Sequence, residues 1–230
     1  MISVVTFKWS TPGYRATFEA RHVNVLAAMV ARHYHRPHRF VCFTDDPTGL
    51  ASNVEALPIW DDLAAVPNPT GGGRPSCYRR LKLWSPGMRG VLGERFVCLD
   101  LDAVVVDDLA PLWDRTEDVV MWRAPRVRWP YNGAMFMAET GARPHVWTDF
   151  DAVDSPRRTV AAGYRGSDQA WMSLALGAGE ATWDESDGVW FYGAMPKPRD
   201  RLPAGARIVF TTASTPPWAL THQWVLEHWR

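Results

Sequence analysis

Short apolar runs and one helical stretch alternate along the beginning of the chain. Runs of strand length occur at residues 2–7, 39–44 and 53–59. Between the first two runs, the apolar residues of positions 17–34 recur at helical spacing, and Pro37 ends this helix. This order of elements predicts an α/β sheet that collects ligands at the carboxyl ends of its strands.

The same pattern continues along the rest of the chain. Strand-like runs lie at residues 95–99, 103–106, 119–122, 134–137, 189–192 and 208–210. Residues 145–150 and 167–176 are predicted to be helices, the second with Ser167 at its N-cap. Residues 211–230 are rich in Pro and Trp and are expected to be irregular and to wrap over the sheet.

An Asp-Leu-Asp sequence separates two apolar runs in the middle of the chain. Asp100 and Asp102 follow the run 95–99, and the run 103–106 returns to the core at once. Buried carboxylates need compensation by a cation, and two oxygen ligands suit Mg²⁺ or Mn²⁺, whose other positions are filled by substrate phosphates and water. The sequence therefore predicts a metal site of the kind found in enzymes that expel a nucleoside diphosphate. The alternative is a solvated acidic turn, which the flanking apolar runs disfavour.

A glycine-rich segment and a basic helix precede this predicted metal site. Residues 67–75 lack the pattern of a phosphate-binding loop and are expected to be a linker or a mobile flap. Ser76 is expected to cap the helix that follows. The inward residues of this helix would be Cys77, Leu81 and Trp84, and its surface cations would be Arg79, Arg80 and Lys82. These cations either form a solvated basic face or meet the phosphates of a substrate.

Composition narrows the class of protein. The 230 residues carry 25 basic and 25 acidic side chains, and this balance argues against a dedicated nucleic-acid binder. Three cysteines, two of them in strand-like runs, indicate a reducing compartment, and no apolar run is long enough to span a membrane. We therefore expect a cytoplasmic protein.

Tryptophan is unusually frequent, with 13 copies. Three of these residues fall at apolar positions and are expected in the core: Trp84, Trp113 and Trp171. Three others lie beside turn residues and either pack or stack on a base or a sugar ring: Trp9, Trp129 and Trp218.

Several short motifs, taken in chain order, resemble the GT-A-type glycosyltransferases, in particular the group of glycogenin and the lipopolysaccharide galactosyltransferases. They are Tyr78-Arg79-Arg80-Leu81-Lys82-Leu83-Trp84, Cys98-Leu99-Asp100-Leu101-Asp102, Tyr131-Asn132-Gly133-Ala134-Met135-Phe136, Gly166-Ser167-Asp168-Gln169-Ala170-Trp171, Ser186-Asp187-Gly188-Val189, and Ile208-Val209-Phe210 leading to Pro217-Trp218. This combination is far more specific than Asp-x-Asp alone. The resemblance implies one GT-A-type α/β domain over residues 1–230 with a mixed central sheet and flanking helices. Its Rossmann-like nucleotide-sugar-binding half would span about residues 1–102, and its acceptor and catalytic half about 103–230.

The resemblance also implies roles for individual residues. Asp100 and Asp102 would hold Mn²⁺ or Mg²⁺ against the diphosphate of a nucleoside diphosphate sugar, by default a uridine diphosphate sugar. Contacts with the rest of this donor are implied for Phe7, Lys8, Tyr14, Asp45, Arg79, Lys82 and Leu101. Catalytic contacts with the sugar are implied for Asn132, Gly133, Asp168 and Gln169.

The C-terminal segment departs from the pattern of that group. Its members carry a histidine that completes the metal shell and a lysine that meets the diphosphate, whereas Thr212 and Pro216 stand at these positions here. Metal binding is therefore expected to be weak, unless another group such as His222 substitutes. The diphosphate would then depend on the metal and on Arg79.

The spacing of Asp100 and Asp102 favours glycosyl transfer over glycoside hydrolysis. Glycosidases place two carboxylates on either side of a sugar ring, and residues one position apart on the same side of a strand cannot do so. The resemblance favours retention of the anomeric configuration, whereas inversion would need a base such as Asp168 or Asp187 at the acceptor. Two alternatives remain: a non-catalytic nucleotide-sugar binder and, less favoured, a metal-dependent nuclease or phosphohydrolase, which needs more acidic or histidine ligands.

The acceptor is the least defined partner. Segments 123–131 and 154–165 and the C-terminal tail would contact it. Four arginines make this half of the chain locally basic: Arg126, Arg128, Arg157 and Arg158. These arginines either are simply exposed or favour an anionic acceptor, such as a glycan, lipopolysaccharide core or modified DNA.

Overall fold

The computed structural model describes residues 1–12, 17–72, 75–123, 125 and 128–230. The strands are β1 (Ile2–Lys8), β2 (His38–Thr44), β3 (Glu55–Pro58), β4 (Arg95–Leu99), β5 (Ala103–Val105), β6 (Val119–Arg123), β7 (Tyr131–Glu139), β8 (Ala181–Trp183), β9 (Val189–Phe191) and β10 (Ile208–Phe210). The α-helices are α1 (Ala20–His33), α2 (Arg89–Leu92), α3 (Ala110–Trp113), α4 (His145–Thr148), α5 (Asp154–Ala161), α6 (Asp168–Leu176) and α7 (Gln223–His228). Short 3-10 helices lie at Tyr78–Trp84, Pro86–Met88, Glu185–Asp187, Tyr192–Ala194 and Pro217–Ala219.

A mixed seven-stranded sheet organises the chain in the order β3-β2-β1-β4-β7-β6-β8. The strands from β3 to β4 pair in parallel, whereas β7 runs antiparallel to both β4 and β6. The carboxyl ends of β1, β2 and β4 and the amino end of β7 therefore meet at one edge. A second sheet joins β5, β10 and β9, so the chain passes from one sheet to the other between Leu99 and Ala103. The predicted α/β domain with a mixed central sheet is confirmed.

The central strands of the seven-stranded sheet are buried on both faces, and their successive residues enter different cores. In β4, Val97 and Leu99 pack in the core that contains α1 and the second sheet. Phe96 and Cys98 enter the opposite core, which contains the 3-10 helix Tyr78–Trp84 and α6. The three tryptophans expected in the core are buried there: Trp84, Trp113 and Trp171.

The basic segment after Pro75 folds as the 3-10 helix Tyr78–Trp84 rather than as the predicted α-helix, with Cys77 instead of Ser76 at the N-cap position. Three residues per turn place every third residue on the same face. One buried face carries Tyr78, Leu81 and Trp84, a second buried face carries Arg80 and Leu83, and the remaining face carries Arg79 and Lys82. The expectation that Arg80 lies on the helix surface was therefore wrong.

Five of the strands and α-helices named above escape the hydrophobic pattern: α2, α3, α5, β8 and α7. The last lies in the segment that was expected to be irregular, and it is too short to show a helical period. Tertiary contacts hold it instead, because Trp224 and Val225 are buried in the core that contains α1. Arg32 of α1 also donates a hydrogen bond of 2.6 Å to the carbonyl oxygen of His228. In the ranges described here, no helix combines the length and the apolar character needed to cross a membrane.

Gly188→Ala is expected to destabilise the second sheet. Gly188 directly precedes β9 of this sheet, and Asp102 directly precedes β5. Gly188 has a φ of +90°, and an added Cβ would lie 2.4 Å from the carbonyl oxygen of Gly205. The backbone clash and the positive φ together should lower the free energy of unfolding by more than about 2 kcal/mol, as measured by urea unfolding.

The matched control for this change is Gly90→Ala in α2, where an added Cβ would meet no atom within 4 Å. Alanine also has the higher helix propensity, so this variant should change stability by less than about 1 kcal/mol. Equal unfolding midpoints for the two variants would contradict the packing assigned to Gly188.

Candidate active site

A cleft opens at the edge of the central sheet where the strand ends meet. Its two adjoining parts share Cys77, Arg80 and Asp100. The first part is largely aromatic and apolar and is lined by Phe7, Trp9, Phe18, Leu99, Leu101, Asp102 and other residues. The second part is polar and is lined by Thr70, Gly133, Ser167, Asp168, Gln169 and other residues. This shape suits a ligand with a ring system at one end and hydroxyl groups at the other.

Asp100 and Asp102 lie between the two buried strands β4 and β5, as the sequence pattern predicts. The amide of Asp100 donates to the carbonyl oxygen of Ala134 at 2.9 Å, which extends the pairing of β4 with β7. The carbonyl oxygen of Asp102 accepts hydrogen bonds of 2.9 Å from both the amide and the hydroxyl of Thr211. These backbone bonds fix the crossing between the sheets, and both carboxylates line the cleft.

Arg80 is the cation that lies beside Asp100 where the two parts of the cleft meet. Its buried guanidinium pairs with the Asp100 carboxylate, and its Nε lies 2.8 Å from Oδ2 of Asp168. Another of its nitrogens donates to the carbonyl oxygen of Gly133. Burial alone would lower the pKa of Arg80, but the carboxylates of Asp100 and Asp168 raise it well above its ordinary value. The guanidinium therefore stays charged and links β4, β7 and α6.

The first turn of α6 forms the polar wall of the cleft. The Ser167 hydroxyl accepts a bond of 2.9 Å from the amide of Cys77 and donates to Asp168 Oδ1 at 3.3 Å, which ties α6 to the 3-10 helix Tyr78–Trp84. Burial raises the pKa of the Asp168 carboxyl, and the charge of Arg80 opposes this shift. The next residue, Gln169, also lines the cleft.

Gly133 permits the close approach of α6, β7 and Arg80. An added Cβ at this position would lie 2.9 Å from a terminal nitrogen of Arg80 and 3.2 Å from Cβ of Gln169. The neighbouring Asn132 lies beside the bulge in the pairing of β6 with β7. Its side-chain oxygen accepts a hydrogen bond of 2.8 Å from the amide of Ala134, and it is not among the residues that line the cleft.

The donor residues implied by the resemblance separate into two groups. Phe7, Leu101, Asp100, Asp102 and Gly133 line the cleft. Lys8, Asp45, Arg79 and Lys82 are not among its lining residues, and Tyr14 lies outside the described residues.

The side chains outside the cleft have partners of their own. Asp45 accepts a bond of 2.8 Å from the amide of Ser10 and so holds the loop that follows β1. Arg79 donates to the carbonyl oxygen of Trp60 at 2.8 Å, and Lys82 lies 2.6 Å from a carboxylate oxygen of Asp62. The 3-10 helix explains this placement, because it turns Arg79 and Lys82 towards the segment that follows β3. The cation at the centre of the cleft is Arg80.

The cleft offers a metal ion two carboxylates, those of Asp100 and Asp102. Across the described ranges, no cluster of three or more His, Cys, Asp or Glu side chains has the geometry of a metal site. The Thr212 hydroxyl shares hydrogen bonds with the hydroxyls of Ser214 at 2.8 Å and Thr215 at 2.9 Å. Two carboxylates still fit Mg²⁺ or Mn²⁺, provided that the ion completes its shell with phosphate oxygens and water.

Two other residues considered from the sequence have roles elsewhere. Nε2 of His222 shares a hydrogen bond of 2.8 Å with the hydroxyl of Tyr192, so this imidazole does not replace the missing histidine beside Asp102. Asp187 accepts a bond of 3.0 Å from the amide of Asp184 within a capping box and is not part of the cleft.

Comparison with known proteins supports the fold. No protein-family model matches the sequence, and no curated protein matches it. Among solved structures, the chain is similar to the galactosyltransferase LgtC in complex with donor and acceptor sugar analogues, with a TM-score of 0.64, 16% identity, and coverage of 98% of this chain and 94% of LgtC. It is also similar to the glycosyltransferase GlyE of Streptococcus pneumoniae, with a TM-score of 0.59, 12% identity, and coverage of 100% of this chain and 62% of GlyE. The GT-A-type fold implied by the sequence motifs is thereby confirmed.

Proposed function

We propose that this chain is a metal-dependent glycosyltransferase that moves a sugar from a nucleoside diphosphate sugar to an acceptor hydroxyl. The observation that carries the proposal is the meeting of Arg80 with Asp100 and Asp168 at the junction of an aromatic pocket and a polar pocket. The similarity of the fold to LgtC, a galactosyltransferase seen with donor and acceptor sugar analogues, also supports the proposal of glycosyl transfer. Fold alone does not define function, so the proposal depends on the chemistry of the cleft.

The aromatic part of the cleft is assigned to the nucleoside. Trp9 packs edge-on against Phe7 with ring centroids 6.0 Å apart, and the guanidinium of Arg79 lies 5.8 Å from the Trp9 ring. A base stacked on an aromatic face gains affinity without a hydrogen-bond code. A uridine diphosphate sugar is the proposed donor, on the basis of the sequence resemblance.

The acidic and cationic centre of the cleft is assigned to the diphosphate. Asp100 and Asp102 would hold Mn²⁺ or Mg²⁺, which when bound would neutralise the charge that develops on the departing diphosphate. Arg80 holds Asp100 in place and adds a fixed positive charge close to the same oxygens. This arrangement does not need a lysine at the position of Pro216. Arg80, rather than Arg79 as expected from the sequence, is the arginine assigned to the diphosphate.

The polar part of the cleft is assigned to the sugar. Gln169 and the first turn of α6 would bind its hydroxyls, while Arg80 holds the buried Asp168 in place. In the reaction, the bond between the anomeric carbon and the diphosphate oxygen breaks, and a bond to the acceptor oxygen forms. The acceptor proton passes to the departing diphosphate.

Retention is the proposed stereochemical course. The carboxylates that line the described part of the cleft form one acidic cluster, in which Arg80 pairs with Asp100 and Asp168 and Asp102 is assigned to the metal. Inversion needs a base that stands apart at the acceptor hydroxyl, and this cluster does not supply one.

A screen of nucleotide sugars tests the proposed function. The purified chain is incubated with uridine, guanosine and adenosine diphosphate sugars and Mn²⁺, with and without a chelator, and released nucleoside diphosphate is measured. We expect release from at least one donor and its loss with the chelator. Thermal stabilisation by a nucleotide sugar without release would instead identify a non-catalytic binder, and absence of both effects would refute the assigned site.

Trp9→Ala is expected to raise the KM for the nucleotide sugar by about tenfold with a smaller change in kcat, since stacking on an aromatic ring contributes roughly 1–3 kcal/mol per base. Initial rates at varied donor concentration measure both constants. Trp9→Phe keeps an aromatic face and should stay close to the parent chain. An unchanged KM in Trp9→Ala would show that the base does not bind in this part of the cleft.

A further inference from the structure

A second groove lies close to the polar part of the cleft. It lies at the end of the β6–β7 hairpin where β6 ends and β7 begins, and it is lined by residues that include Arg123, Arg128, Trp129, Tyr131, Tyr164 and Thr182. Gly133 and Gly166 line the cleft, and Tyr131 and Tyr164, which precede them by two positions, line the groove. Two residues of extended chain span about 7 Å, a distance that a short oligosaccharide bridges.

The groove has an aromatic wall. The rings of Trp129 and Tyr164 have centroids 6.2 Å apart and planes inclined at 46°, and both side chains are half-buried. A ring fixed in this way offers a face on which the apolar side of a sugar ring packs at a low cost in side-chain entropy.

The rim of the groove is cationic. Glu180 also lines it, but Arg143 neutralises this carboxylate through hydrogen bonds of 2.8 and 3.0 Å. Arg123 is partly compensated, with Asp184 at 3.8 Å. Arg128 is exposed, and no salt bridge joins it to another residue of the described chain. The uncompensated charge at the rim therefore favours an anionic ligand.

We infer that this groove binds the acceptor and that the acceptor is an oligosaccharide carrying a carboxylate or a phosphate group. One sugar ring packs on Trp129 and Tyr164, the anionic group pairs with Arg128, and the end to be glycosylated extends past Gly133 into the cleft. This inference rests on the proposed glycosyl transfer, to which it adds the chemical class of the acceptor.

Binding of defined saccharides in the absence of a donor tests the inference. Dissociation constants are measured by ligand-observed NMR titration with lactose, sialyllactose and a phosphorylated lactose, so that the two anionic probes separate a carboxylate from a phosphate ligand. A hydrogen bond to a charged group contributes enough affinity to make at least one anionic probe bind about tenfold more tightly than lactose.

Variants then locate this binding. Trp129→Ala should weaken binding of every saccharide, whereas Trp129→Phe should retain most of it. Arg128→Gln should reduce the affinity of the anionic probes to that of lactose. The matched control is Arg89→Gln, which removes an exposed charge from α2, outside the cleft and the groove, and should change nothing.

Equal affinities for neutral and anionic probes, or affinities that Trp129→Ala and Arg128→Gln leave unchanged, would overturn the inference. So would a DNA oligonucleotide that binds through Arg128 more tightly than either anionic saccharide. Donor cleavage by the parent chain is measured separately. Donor cleavage without saccharide binding refutes only the assignment of the groove to the acceptor. Selective saccharide binding without donor cleavage refutes the proposed function, but it leaves the groove's preference for anionic saccharides established.

Discussion

Asp102→Asn is expected to lower the metal-dependent release of nucleoside diphosphate by about two to three orders of magnitude, the loss typical of removing one electrostatic contact with a developing charge. Asparagine keeps the size of the side chain but removes the negative charge that would hold Mn²⁺ or Mg²⁺. The fold should survive, because the change leaves intact the backbone carbonyl of Asp102, which accepts both hydrogen bonds from Thr211. Turnover at saturating Mn²⁺ and urea unfolding measure the two effects.

The matched control is Asp200→Asn, which removes one carboxylate from an exposed position outside the cleft. Its turnover should equal that of the parent chain. Near-parental turnover in a well-folded Asp102→Asn variant would discard the metal assignment, whereas loss of activity together with loss of folding would point to a structural role for the carboxylate.

Arg80→Ala is expected to abolish donor cleavage and to lower the free energy of unfolding by about 3–5 kcal/mol, the cost typical of removing one partner of a buried ion pair. The side chain of Arg80 is 8% exposed and that of Asp168 is 7% exposed, so the remaining carboxylate of Asp168 would be buried without its cation. Urea unfolding measures the stability change.

A second variant separates the structural role of the Arg80–Asp168 pair from the role of the pair in catalysis. Arg80→Met combined with Asp168→Asn removes the buried pair, and replacing such pairs with neutral groups often restores stability. Asp100 remains partly exposed, at 35% of its side-chain surface, and tolerates the loss of the pair. We expect a stable and inactive chain. Arg80→Ala with the stability of the parent chain would contradict the ion-pair cluster described here.

The strands and the acidic junction could be predicted from the sequence because their signals are local. A run such as Phe96-Val97-Cys98-Leu99 is apolar at every position, as expected for a strand covered on both faces. Asp100 and Asp102 interrupt two such runs, so their position at a strand exit follows from the pattern alone.

The place of Arg80 could not be predicted because it depends on the type of helix. The sequence of Tyr78–Trp84 fits an α-helical spacing as well as a 3-10 spacing. In the latter every third residue shares a face, which groups Arg80 with the buried Leu83 and Arg79 with Lys82. The burial of Arg80 also requires Asp168, which is distant in sequence and reaches it through the packing of α6 on β7.

The sequence assigned the acceptor to segments 123–131 and 154–165, which both contribute to the adjacent groove, but it could not show how these segments meet. Trp129 stands out among turn residues, but Tyr164 has no pattern that connects it to that position. Only the packing of the loop before α6 against the β6–β7 hairpin brings the two rings within 6.2 Å.

A crystal structure of the chain with Mn²⁺ and uridine diphosphate tests the central claim most directly. The anomalous signal of the ion should lie between the carboxylates of Asp100 and Asp102, with the diphosphate beside Arg80 and the base against Trp9. If both carboxylates carry no ion while the nucleotide is bound elsewhere or absent at saturating concentration, the assignment of this cleft to sugar transfer is wrong.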